Sequence, residues 1–268
     1  VVAPMVMVDF RVAGAALLFW ITSLFLPKEH VPGGDILRLF GAGMLGILLN
    51  QGCFILGVSL TSPGEASLVT TTMPMWVMLL AWLILREPIT LKKAAGIAAG
   101  AAGAIILIAG SGVRAYGTNP ALGDVIVLCA QLSYALYLTL YRNFIRKYTL
   151  VTLMKWMFLS ASVVGLPAGI KWLVATDWLA ISAIEWSGIA YVVICATFLA
   201  YVCIMIGQKH LRPTLVGMYN YVQPILPTIT GVCLGLDVFT PVKALAIVLI
   251  FSGVWLVTIS KAKDPRRG

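Results

Sequence analysis

The residue types that most often carry catalysis are poorly placed in this chain. His30 and His210 fall in the polar connections or at the ends of long apolar runs, so neither is positioned as a general base for a buried nucleophile. Cys53, Cys129, Cys195, Cys203 and Cys233 sit inside apolar stretches, and no pair has the spacing of a metal or redox site. HExxH and GxGD patterns are absent. The expectation is therefore no catalytic residues, no metal and no cofactor. The remaining chemistry is polar side chains embedded in apolar sequence: Asn50, Thr70, Gln131, Tyr134, Tyr201, Tyr219, Asn220 and Gln223. In lipid such groups turn toward the interior of a bundle. Amides and phenols together suit a small amphipathic or zwitterionic substrate, although interhelical hydrogen bonding is an alternative use for any one of them.

Two prolines sharpen this set. A proline cannot donate to the carbonyl four residues before it, so Pro74 releases the carbonyl of Thr70 and Pro224 that of Asn220. Ser67, Thr70 and Pro74 share one helical face, as do Gly217, Asn220 and Pro224. Two kinked helices with matching polar stripes facing each other would make a substrate site with Pro74 and Pro224 as hinges. The same residues also read as kinks healed by hydroxyls for packing.

The charged groups read as structural. Ser62, Pro63 and Glu65 form a capping box with a proline at the first helical position, and Glu87 and Asp237 end helices in tight turns. No carboxylate is expected at mid-span, so the usual proton relay is not visible. Arg11, with Asp9 beside it, and Lys155 stand near helix starts. They read as snorkelling cations, or as positive charge at a cavity mouth that draws anionic substrate.

The elements that must hold these residues are transmembrane. Of 268 residues, 60% are hydrophobic and 11% charged, with a mean hydropathy of +0.98; soluble domains carry roughly 25% charged residues. Apolar runs predict nine helices, at about 5–26, 35–60, 64–86, 91–110, 121–143, 150–175, 186–208, 213–236 and 240–260. An all-α polytopic membrane bundle follows, without an aqueous domain. Nine crossings put fifteen Lys and Arg on one side and four (Arg11, Arg114, Lys171 and Lys243) on the other. The positive-inside rule makes the C-terminus, with its basic tail 261–268, cytoplasmic. The net charge of +9 is thus a topology signal, and no nucleic-acid partner is expected.

A shift of 150 residues superposes Pro63 on Pro213, Pro74 on Pro224, Thr90 on Thr240, Lys93 on Lys243 and Gly103 on Gly253. Five helices separate equivalent spans, and an odd separation inverts the second copy, the arrangement of many secondary transporters. The first copy covers residues 1–110 with four helices and the second 121–260 with five. A missing first helix accounts for the difference, and fits a chain starting at Val1.

Ser62-Pro63-Gly64-Glu65-Ala66-Ser67, Pro74, the turn Glu87-Pro88-Ile89-Thr90 and the glycine-rich span Gly96 to Gly103 together resemble the EamA repeat of the drug/metabolite transporter superfamily. Arg212-Pro213, Pro224, Asp237-Val238-Phe239-Thr240 and Gly253 repeat the pattern. The resemblance implies a ten-helix, 5+5 inverted-repeat carrier in a bacterial cytoplasmic membrane, exporting small metabolites or amino acids by alternating access. A non-transporting membrane scaffold is the alternative, and an intramembrane enzyme a more remote one. Gly96 and Gly100 form a GxxxG that serves either intrachain packing or a homo-oligomer.

Overall fold

The computed structural model describes residues 3–109, 118–178, 180–233 and 240–260. Asp237, Arg114 and the basic tail 261–268 lie outside the described residues. Among the described residues every regular element is helical: α1 (Pro4–Leu24), α2 (Gly33–Gly43), a π-helical segment (Met44–Leu49), α3 (Asn50–Leu60), α4 (Pro63–Thr70), α5 (Met73–Leu85), α6 (Leu91–Ala109), α7 (Pro120–Leu140), α8 (Arg142–Ile145), α9 (Leu150–Ala175), α10 (Ala183–Val193), a second π-helical segment (Ile194–Leu199), α11 (Ala200–His210), α12 (Pro213–Met218), a 3₁₀ turn (Tyr219–Val222), α13 (Ile225–Cys233) and α14 (Pro241–Thr258).

Seven helices among the described residues are long and apolar enough to cross a membrane: Pro4–Leu24, Gly33–Leu60, Glu65–Leu85, Pro120–Leu140, Leu150–Ala175, Ala183–His210 and Pro241–Thr258. The expected spans 91–110 and 213–236 are not among them. The first forms α6, and the second is broken into α12, the 3₁₀ turn and α13. Pro224 stands between those last two pieces and withholds the amide that a continuous helix needs. Leu83, Val163, Val174, Phe251 and Trp255 are exposed. Apolar side chains turned outward in such number face lipid rather than water.

The helix boundaries carry the 150-residue offset. Gly33–Leu60 and Ala183–His210 correspond residue for residue, and their π-helical segments, Met44–Leu49 and Ile194–Leu199, lie at the same offset. The chain packs into two compact units, residues 1–56 with 141–210 and residues 57–140 with 211–268. Each unit draws helices from both copies.

In the first unit, α1 and α9 are repeat equivalents and run antiparallel. Asp9 lies against Gly169, whereas ten residues further along α1 Phe19 stacks on Phe158 at 5.5 Å and Trp20 meets Trp156 at 5.4 Å. Phe19 is fully buried and also touches Phe198, at 4.6 Å.

In the second unit, α6 and α14 are the equivalents. A Cβ on Gly253 would come within 2.5 Å of the Gly96 carbonyl oxygen, and one on Gly103 within 2.5 Å of the Ala246 carbonyl oxygen. The reciprocal pattern again gives antiparallel helices, in contact through backbone that glycine alone leaves open. Around the contact lie Ile97, Ala104, Met218, Tyr221, Ile225, Ala246 and Ile250.

Candidate functional site

The second unit holds most of the predicted polar residues. The helix Glu65–Leu85 is interrupted at Thr71 and Thr72, between α4 and α5, with Pro74 in the first turn of α5. Thr70, Thr71 and Thr72 donate their hydroxyls to the carbonyls of Ser67, Leu68 and Val69, each at 2.7 Å, and the amide of Trp76 returns to the Thr72 carbonyl. The matching stretch of the second copy turns through the 3₁₀ segment. There the Gln223 amide donates to the Asn220 carbonyl at 3.3 Å. This corrects the expectation for Asn220, whose carbonyl was to be released by Pro224. A 3₁₀ turn brings the amide of residue i+3 to that oxygen and needs no donor from the proline.

The two interruptions meet. Gly217 packs on Pro74, where a Cβ would lie 3.4 Å from the proline Cα. The Asn220 side-chain amide donates to the Met73 sulfur, and Gln223 donates to Asn220 Oδ1 at 3.1 Å. Gln223 and Tyr219 are exposed, and Asn220 and Thr70 are half-buried. On α7, Gln131 is buried and the half-buried Tyr134 lies 5.7 Å, ring to ring, from Tyr137.

The remaining predicted residues, Asn50 and Tyr201, belong to the first unit. Asn50 is half-buried at the end of the first π-helical segment. Tyr201 accepts a 3.0 Å hydrogen bond from the side-chain nitrogen of Gln51, and its ring meets Phe158 at 5.0 Å. Gln51 and Tyr201 are themselves 150 residues apart, so equivalent positions of the two copies touch. The Gln51 side-chain oxygen is buried and has no partner among the described residues.

Two charged residues of this unit sit otherwise than the sequence suggests. Asp9 is buried, a turn and a half inside α1, with Oδ2 unpartnered among the described residues and with Gly165 and Gly169 of α9 leaving room for it. A carboxylate therefore does lie within a span. Arg11 neither pairs with Asp9 nor reaches for the surface. Two residues apart on a helix, they point about 200° from each other, and the Arg11 Nε donates to Thr197 Oγ1 at 3.0 Å. Thr197 went unnoticed in the sequence; its one legible sign is that it is the only hydroxyl in the run Ile194 to Leu199. Lys155 lies over the Trp20 ring, 5.0 Å from its centroid.

The charged turns do structural work. Ser62 and Glu65 make the capping box, and Glu65 also accepts from Thr61 at 2.7 Å. Glu87 and Lys93 form an ion pair at 2.9 Å with both side chains at most 2% exposed, and Thr214 donates to the same carboxylate at 3.4 Å. Thr90 and Thr240, another equivalent pair, accept from the amides of Lys93 and Lys243.

At the ends of the first unit's helices, Asp35 accepts from Lys147 and Tyr148, and Lys209 donates to the Tyr148 carbonyl. Asp35 holds the Lys147 ammonium above the ordinary lysine range. Partial burial opposes ionisation of Glu29. The Thr149 amide and hydroxyl, at 3.0 and 2.8 Å, outweigh it with help from Thr152 and Lys209, and keep the carboxyl below its usual range.

The model of the EamA-like transporter family matches residues 1–109 and again 121–259. The transporter YetK of Bacillus subtilis is 22% identical over 257 residues, which is 96% of this chain and 78% of that protein. PecM of Dickeya dadantii is 25% identical over 87% of this chain and 77% of its own length. The inner membrane transporter YedA of Escherichia coli is 25% identical over 98% and 84%. A solved crystal structure superposes with a TM-score of 0.79 over 97% of this chain and 90% of its own, at 19% identity, a likeness of fold. With two matches of one family model and a multi-pass apolar bundle built to the same offset, the chain belongs to the EamA-like transporter family.

Proposed function

We propose that the protein is a secondary carrier that exports small metabolites or amino acids by alternating access between two inverted repeats. The first repeat spans residues 1–110 with four helices and the second 121–260 with five, about nine spans of a ten-helix 5+5 design. The carrying observation is the pair of interrupted helices in the second unit, at Thr70–Thr72 and Tyr219–Gln223, which touch through Asn220 and Met73. Broken spans bring backbone and amide groups into a membrane interior, where secondary transporters hold their substrates. In this reading Thr70, Asn220, Gln223, Tyr219, Gln131, Tyr134, Asn50 and Tyr201 are the substrate-binding residues. Pro74 and Pro224 are the hinges, and Glu87 fixes the turn beyond Pro74. The membrane is a bacterial cytoplasmic membrane, in keeping with the relative YedA, with the C-terminus on the cytoplasmic side.

The test is efflux from proteoliposomes loaded with a mixed pool of amino acids and small metabolites. Thr70→Val with Asn220→Leu is expected to abolish efflux of the transported compound while the protein stays folded. Unchanged flux and affinity in that double variant would remove the site assignment. No flux of any compound by the folded protein would favour a membrane scaffold.

A further inference from the structure

Arg11 is a cation in the wrong place for a membrane anchor. Thr197, which binds its Nε, is the fifteenth of the 28 residues of Ala183–His210. At 1.5 Å per residue that is about 20 Å from either end of the span, at mid-depth. A snorkelling arginine stretches toward the headgroups; this one is tied inward. The tie depends on local backbone. Thr197 is fully buried in a π-helical segment and donates its own hydroxyl proton to the Val192 carbonyl, five residues back. Its oxygen lone pair is thereby turned to Arg11. Such π-helical segments gather at functional sites because they displace a side chain from the regular helix face.

The guanidinium is left incomplete. Among the described residues Nε to Thr197 is its hydrogen bond, no carboxylate lies within ion-pair distance, and both terminal nitrogens stay accessible without a partner. Asp9 is turned to α9 and does not neutralise it. A positive charge at mid-depth of a membrane is costly unless an anion meets it. The four remaining N–H groups of a planar guanidinium fit the two oxygens of a carboxylate. Thr197 and Tyr201 are one turn apart on the same helix face, so the Tyr201–Gln51 pair lies beside the vacant donors.

We propose that Arg11 is the anion-recognition residue of the carrier. It binds the carboxylate of a small organic substrate, with Thr197 as the positioning residue that holds the guanidinium at mid-depth. The inference rests on the transporter reading and names its substrate class.

The test measures binding, and separately flux, with the full chain in detergent and in proteoliposomes. The probes are the twenty L-amino acids and a set of short mono- and dicarboxylic acids, each beside its carboxamide. Thermal stabilisation of the wild type by a carboxylate is expected at concentrations at least about tenfold below those its amide requires, the ratio a charge-assisted pair sustains. Arg11→Gln is expected to erase that ratio, Arg11→Lys to keep part of it, and Thr197→Val to weaken carboxylate binding without abolishing the preference. If Arg11→Gln does not fold, Arg11→Lys and Thr197→Val decide by the same ratio. Equal stabilisation by acids and amides in the wild type, or an undiminished preference in the variants, overturns the proposal. A shift instead with nanodiscs containing anionic phospholipid, lost in Arg11→Gln while carboxylates do nothing, assigns Arg11 to lipid phosphate and also overturns it. Flux of neutral compounds with no carboxylate preference leaves the carrier reading standing and sinks this one alone.

Discussion

Lys93 and Glu87 are sealed from solvent together, and the energetics of that seal can be measured. Removing one partner strands the other as an uncompensated buried charge, at a cost of about 3–5 kcal/mol, whereas replacing both by neutral groups of similar volume is close to neutral. Glu87→Gln leaves the Lys93 ammonium at 1% exposure without this carboxylate, and Lys93→Met leaves the Glu87 carboxylate at 2% without this ammonium. Thr214, which bonds the same carboxylate oxygen at 3.4 Å, carries no charge of its own. With about 2–4 °C per kcal/mol for a chain of this size, each single variant is expected to melt roughly 6–20 °C below the parent. The double variant Glu87→Gln/Lys93→Met is expected to return to within a few degrees of it. The assay is thermal unfolding in detergent followed by intrinsic tryptophan fluorescence, with unfolding in graded sodium dodecyl sulfate as a second probe. If the double variant is as unstable as the two singles added, the reasoning from an uncompensated charge is refuted.

Gly253→Ala is expected to destabilise the second unit markedly, because its Cβ would press to 2.5 Å on the rigid Gly96 carbonyl. Gly52→Ala meets nothing within 4 Å and should be neutral or stabilising by up to about 1 kcal/mol; parallel melting curves compare them. Tyr201→Phe removes the acceptor of the Gln51 side-chain amide among the described residues and should cost about 1–3 kcal/mol, while Gln51→Leu with Tyr201→Phe recovers most of it in a double-mutant cycle. Glu29 has its carboxyl lowered in the fold, so its bonds to Thr149 stabilise above the ordinary glutamate pKa and are lost as pH falls through the lowered value. The protection factor of the Thr149 amide, its exchange rate relative to the intrinsic rate at the same pH, should therefore fall as pH drops below the ordinary glutamate range, and Glu29→Gln should remove that acid step.

The membrane class, the 150-residue offset and the capping box at Ser62 were legible because each is written in neighbouring or periodically spaced residues. The offset predicted equivalent helices, and the structure returned Gly33–Leu60 and Ala183–His210 with identical lengths. What stayed hidden depends on which neighbour a side chain meets. Lys93 follows Lys92 and counts in the sequence among the fifteen cations of one side, yet a 100° step along the helix sends it inward to Glu87. Arg11 reads as a snorkelling cation with Asp9 beside it, and the helix sends the two to different neighbours, Arg11 to Thr197 and Asp9 to α9. Of the polar residues, Asn220 and Gln223 were found with their helix break. The depth of Thr197 was not, since a π-helical segment leaves no mark in the pattern of apolar residues.

The Gln51–Tyr201 contact has a consequence for the ancestry of the chain. A residue on the axis relating two halves meets its own counterpart, and in a dimer of identical halves both must be the same amino acid. Two tyrosines would have to divide donor and acceptor between chemically equal groups, and two glutamines would each have to do both. Fusing the halves into one polypeptide lifts that constraint at the axis first. Here the freedom is used: one side supplies an amide that gives a proton and the other a phenol that receives it, a division of labour that no symmetric ancestor could encode.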